Sequence, residues 1–163
     1  RPGELRTARW SDVNLETQVW TFTASKTKTP HVVPLAAQAV HLLTELRPVT
    51  GDSDFVFPCA RSYAKPMSNN AVLAAMRSLH IANDELCGHG FRAIARTLIC
   101  EELGFRAELV EHQLAHSVRD SLGRAYNRTQ FLSERRAMMQ QWADYIDHLH
   151  KQQTPTLSLL RSA

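Results

Sequence analysis

The stretch from residue 18 to residue 34 constrains the fold more than any other. It reads QVWTFT, then SKTKTP, then HVVP. Two runs of β-branched and aromatic residues flank six polar ones, and Pro34 ends the second run. This pattern predicts a β-hairpin with a basic tip carrying Lys26 and Lys28. A two-stranded hairpin is not stable alone in water, so it must lay a face on other elements. Most of what surrounds it has helical period. Pro2 and Glu4 open a short helix to about Arg9, and Ser11-Asp12 makes a turn. Ala39, Val40, Leu42, Leu43 and Leu46 predict a helix over 36–47 that stops at Pro48. Residues 55–57 are a short strand, 58–67 a loop, and Ser68 caps a helix over 69–81.

The C-terminal half reads as helices throughout. One covers 90–103, with Phe91, Ile94, Ala95 and Leu98 inward and Gly104 as its stop. Another covers 107–115. Residues 117–123 are loop-like, and a short helix surrounds Tyr126. Ser133 caps a long helix to about His148, with Met138, Trp142, Tyr145 and Leu149 on one stripe. The fold class is therefore mainly α with a small antiparallel β-sheet (α+β). One domain is expected over 1–150, followed by a 151–163 tail that turns apolar at Leu157, Leu159 and Leu160.

The length of 163 residues suits a single domain. Apolar runs are too broken to span a bilayer, and no basic-then-apolar leader opens the chain. Three cysteines, Cys59, Cys87 and Cys100, fit neither a disulfide framework nor a four-cysteine zinc site, so a reducing cytoplasm is expected. The first residue is Arg1, so the chain is expected to be part of a longer protein. Net charge is +3, and the basic set holds 15 Arg against 4 Lys. Arginine grips phosphate with a planar fork, and Arg119, Arg124, Arg128, Arg135 and Arg136 cluster within 117–136. That patch suits a polyanion; the alternative is a solvated helix surface.

Three groups of residues could carry chemistry. His89 and Arg92 are three apart at a helix start, where free N–H groups favour an anion. His112 and His116 are four apart and, with His89, could form a three-histidine metal site, although the HExxH order is absent. Tyr126 lies between Arg124 and Arg128, cations that favour its phenolate. No glycine-rich phosphate loop supports nucleotide chemistry.

Taken in order, RPGELRTARWSDV, KTKTPHVVPL, PMSNNA, HGFRAIART, LAH and RAYNRT resemble the catalytic domain of tyrosine recombinases, particularly phage and genomic-island integrases of the satellite-prophage type. The resemblance covers about residues 1–148. It implies the integrase catalytic-domain fold of DNA breaking-rejoining enzymes, here without its first helix or helices. Residue by residue, the arginine of the family's T-G-x-R-x-x-E-L matches Arg1, with Glu4 and Leu5 as its E-L. The hairpin lysine matches Lys26, with Lys28 as rival. H-x-x-R matches His89 and Arg92, the next His or Trp matches His116, and the nucleophile matches Tyr126. The family's L-G-H stands here as Leu114-Ala115-His116.

The resemblance implies site-specific recombination of a mobile element through a covalent 3′-phosphotyrosine, without metal or other cofactor. Arg1 and Arg92 would hold the non-bridging phosphate oxygens, His89 and His116 would assist, and Lys26 would protonate the leaving oxygen. Lys28, Arg119, Arg124 and Arg128 would contact DNA. The implied partners are double-stranded attachment sites, further protomers in a tetramer on DNA, host DNA-bending proteins and an excisionase; the implied location is the bacterial cytoplasm at the nucleoid. Two other readings stand beside this one: a DNA-binding fragment without catalysis, such as a decayed prophage integrase, and a metal-dependent hydrolase using His89, His112 and His116.

Overall fold

A computed structural model describes residues 1–82, 84–116 and 131–153. It is helix-rich with two small antiparallel sheets among these residues. Helix α1 (Pro2–Arg6) leads through a single 3-10 turn (Trp10–Asp12) into a three-stranded sheet of β1 (Val13–Asn14), β2 (Val19–Thr23) and β3 (Pro30–Pro34). The hairpin forms where the sequence places it, with Trp20 opposite Val33 and Phe22 opposite His31. Strand β1 was not legible: two residues carry no period.

Helix α2 (Ala37–Thr50) runs through Pro48 instead of stopping there. Tertiary bonds anchor its last turn. Thr50 donates from its hydroxyl to the Val56 carbonyl at 3.0 Å, and its own carbonyl accepts the Trp10 indole N–H at 3.2 Å. Residues 58–67, expected as a loop, hold the hairpin β4 (Pro58–Cys59) and β5 (Ser62–Pro66); Phe55, expected in a strand, makes only an isolated bridge to Arg9. Helix α3 (Ala71–Ser78) starts later than expected, after Asn70, so Ser68 is not its cap.

The C-terminal helices are α4 (Gly90–Glu101), α5 (Ala107–Gln113) and α6 (Leu132–Gln153). Gly104 follows α4 with φ of +68°, the left-handed conformation that glycine adopts freely. Helix α6 begins before Ser133, which therefore lies inside it, and continues past His148 to Gln153. The expected tail thus starts no earlier than residue 154, and 154–163, like the expected helix around Tyr126, lie outside the described residues.

Two apolar clusters hold these parts. Ala8, Trp10 and Val56 join the segment after α1 to the residues before β4. Ile99, Leu109, Val110 and Met138 join α4, α5 and α6, with Met138 fully buried at 0% exposure. The stripe read on α6 holds: Trp142 stacks on Tyr145 with centroids 5.9 Å apart. The face read on α4 is rotated. Ala95 faces the core as expected, but Phe91 and Ile94 are 50% and 42% exposed, and Ile99 is buried instead. The inward face also carries the half-buried Arg92, a polar residue that periodicity assigns to the outside.

Candidate active site

Arg1 and Arg92 line one cleft of about 200 Å³, together with Glu4, Trp20, Phe22, His31, Gln113 and Leu114. Local geometry brings the two arginines together. A side chain on Gly88 would lie 3.2 Å from the Pro2 ring, so glycine lets the start of α1 sit against the turn before α4. Arg92 then projects from the first turn of α4. Burial, followed by the nearby Arg1 charge, lowers the Arg92 guanidinium from its ordinary value. Its Nε is buried with no hydrogen-bond partner among the described residues. Two cations facing one cleft repel until an anion lies between them, so the arrangement favours a phosphate.

Glu4 fixes the first arginine. It is 8% exposed and accepts from Arg1 Nη1 at 3.1 Å and from the Ser25 amide and hydroxyl, each at 2.9 Å. Burial would raise this carboxyl, but the Ser25 bonds and the chain's amino group hold it down, from 4.5 to about 2. One buried carboxylate therefore ties α1 to the hairpin tip. Lys26 adjoins Ser25, is exposed and has no partner among the described residues. Lys28, also exposed, has φ of +55°, and its amide closes the tip onto the Ala24 carbonyl at 2.8 Å.

His116 is held against Arg92. Arg92 Nη2 donates to the Leu114 carbonyl at 2.5 Å and to His116 Nε2 at 3.1 Å. His116 Nδ1 bonds to Glu111, which also accepts from Arg96 Nε at 2.5 Å. With a carboxylate at Nδ1, that nitrogen carries the hydrogen, and Nε2 points at the arginine. The turn that brings His116 back runs through Ala115, whose φ of +51° lies in the left-handed region. Glycine suits that region, which explains why L-G-H is the more comfortable form of the motif.

His89 precedes α4, exposed and outside the cleft lining, one helical turn from Arg92. Arg1, Arg92 and His116 are therefore brought together, and Lys26 and His89 do not line the cleft. Tyr126, Arg119, Arg124 and Arg128 lie outside the described residues. The three-histidine arrangement is not formed: among the described residues no three His, Cys, Asp or Glu side chains converge to hold a metal. His112 instead packs edge-on against Phe131, centroids 5.5 Å apart.

Sequence reasoning passed over Glu111, Gln113 and His31, and took Glu4 only as a helix-start residue. His31 donates from Nε2 to the Gln113 carbonyl at 3.1 Å; burial, with help from Arg135, lowers its imidazole to about 4 and keeps it neutral. Its alternation with Val32 in the hairpin was the available signal, since alternate strand residues share a face.

The chain belongs to the phage integrase family, whose model it matches over residues 1–133. It is 38% identical to the integrase of Enterobacteria phage P4 over 163 aligned residues, covering 90% of this chain and 37% of that protein. It is 40% identical over 150 residues to prophage integrase IntS of Escherichia coli K12, covering 90% of this chain and 38% of IntS. The integrase of Shigella phage Sf6 is 39% identical over 150 residues, with the same shares. The chain thus spans well under half the length of these relatives. No solved structure matches it. Among the described residues no helix is long and apolar enough to cross a membrane.

Proposed function

We propose that the chain is the catalytic domain of a tyrosine-type site-specific recombinase acting on double-stranded attachment sites, and that Tyr126 is its nucleophile. The observation that carries this is the paired Arg1 and Arg92 in one cleft, with His116 bonded to the second. In this reading Tyr126 attacks the scissile phosphorus. The bond to the 5′ oxygen breaks, and the phosphate remains on the tyrosine as a 3′-phosphodiester. The bond energy is conserved, so a free 5′ hydroxyl can reverse the step without ATP.

Each remaining residue has a role in that step. Charge grows on the non-bridging oxygens, which Arg1 and Arg92 hold with fixed donors. His116 gives up its Arg92 contact and donates from Nε2 once that nitrogen carries a proton, with Glu111 offsetting the ring's charge. His89 steadies the phosphate or accepts the tyrosine proton. Lys26 protonates the departing 5′ oxygen from the mobile end of a long side chain. Glu4 and Glu111 are both occupied by neighbouring donors, so they do not form the paired-carboxylate site that metal-assisted hydrolysis uses. Assembly as a tetramer on DNA, host bending proteins and an excisionase as partners, a packing role for 154–163 on a neighbouring protomer, and a cytoplasmic, nucleoid-associated location complete the proposal.

The test is a nicked suicide duplex carrying the attachment site, incubated with the protein and resolved under denaturing conditions. A covalent protein–DNA band supports the reading. DNA binding without such a band favours a non-catalytic fragment.

A further inference from the structure

Arg135, in α6, is 2% exposed and has no carboxylate partner among the described residues. Its guanidinium donates from Nε to Gln113 Oε1 at 2.9 Å and from Nη2 to the Val32 carbonyl at 2.5 Å. His31, beside Val32 in β3, donates to the main-chain carbonyl of the same Gln113 at 3.1 Å. Gln113 is thus gripped at both side chain and backbone, by the hairpin and by α6.

Stability is a poor reason for this arrangement. Burial lowers the Arg135 guanidinium to about 10, which records how unfavourable the site is for a cation. A buried charge costs more than an apolar side chain of similar volume unless a partner offsets it. What the arrangement does hold is the end of α5. Gln113 is its last residue. Leu114 follows, whose carbonyl takes Arg92, then Ala115 at φ +51°, then His116. A non-glycine residue in that conformation persists only where its surroundings impose it.

We propose that Arg135, acting through Gln113 and His31, is a positioning residue for DNA cleavage: it fixes the end of α5 so that the Leu114 carbonyl holds Arg92 in line for the phosphate and His116 stays beside it. The inference rests on the recombinase reading for its catalytic consequence, but not for its geometry. It joins the hairpin bearing Lys26, the turn bearing His116 and the helix α6 through one residue.

The test uses Arg135→Met, Arg135→Lys and Gln113→Leu in the protein, with single-turnover cleavage of a nicked duplex, DNA affinity, and the His116 ring signals in NMR spectra. Displacing a reacting group by about 1 Å costs up to about 100-fold, so Met and Leu should slow cleavage about 10–100-fold. DNA affinity and the final adduct fraction should stay unchanged, and the His116 signals should move. Arg135→Lys keeps charge without the fork and should be equally slow. Full rate in Arg135→Lys would overturn the proposal in favour of a simple charge effect. A reduced adduct fraction at an unchanged rate constant would overturn it in favour of a folding role. Wild-type rates with unmoved His116 signals would overturn it outright. If Arg135→Met does not fold, Gln113→Leu decides by the same measurements. If the wild-type protein forms no adduct, the recombinase reading fails instead, and the clamp stands or falls on whether the His116 signals move.

Discussion

Glu4→Gln removes the charge that ties Arg1 to the hairpin tip, and its cost can be worked out. The carboxyl is 8% exposed and falls from 4.5 to about 2 in the folded protein. At about 1.4 kcal/mol per pH unit that shift is equivalent to about 3 kcal/mol of stability. The chain's amino group supplies part of the pull, which leaves about 2 kcal/mol for the Ser25 bonds. Because the folded value is depressed, the contribution is fully present above about pH 4.5 and is lost as pH falls towards 2. Thermal unfolding of wild type and Glu4→Gln should therefore differ by about 4–8 °C at pH 7. By pH 3 the difference should be under half of that. An equal difference at both pH values, or none at pH 7, would refute the idea that an ionised Glu4 holds the two elements together.

Four further outcomes follow from the site. Ala115→Gly should raise the unfolding temperature, since relief of about 1–2 kcal/mol of left-handed strain exceeds the entropy cost of about 0.4–1 kcal/mol; a lower midpoint would contradict the strain. Arg92→Ala should slow single-turnover cleavage by about 100–1,000-fold, and replacing the bridging 5′ oxygen by sulfur should not rescue it, because in the proposed step the lost donor faces non-bridging oxygens. Lys26→Ala should lose about 10²–10⁴-fold on ordinary DNA and recover on sulfur-substituted DNA, where a thiolate leaves without a proton; rescue of Lys28→Ala instead would identify the rival lysine. DNA binding should weaken steeply with salt, as phosphate contacts through arginine release counterions, and a salt-independent titration would count against the basic patch.

The hairpin and the long amphipathic helices were legible because alternation and helical period are written in neighbouring residues. Pro48 was misread as a stop because the bonds that carry α2 onward come from Trp10 and Val56, distant in sequence. The rotation of α4 has a similar origin: Arg92 needs an inward place to reach Leu114, and that need turns Phe91 and Ile94 outward. At the candidate site, Arg1, Arg92 and His116, which the structure brings together, were singled out through ordered motifs. Glu111, Gln113 and the buried Arg135 were not, because each acts by holding another group, and such contacts leave no local spacing. Arg135 was counted with an exposed basic patch and is instead 2% exposed.

The central claim is that Tyr126 becomes covalently joined to DNA. The most direct measurement is to trap the protein on a nicked suicide duplex, digest the adduct with protease and nuclease, and locate the phosphorylated peptide by mass spectrometry. Tyr63 and Tyr145 are the other tyrosines; the first reaches the Val49 carbonyl at 3.4 Å, and the second stacks on Trp142. The predicted result is phosphotyrosine at Tyr126, with the adduct lost in Tyr126→Phe while DNA binding persists. An adduct of normal yield in Tyr126→Phe, or a phosphopeptide containing Tyr63 or Tyr145, would contradict it.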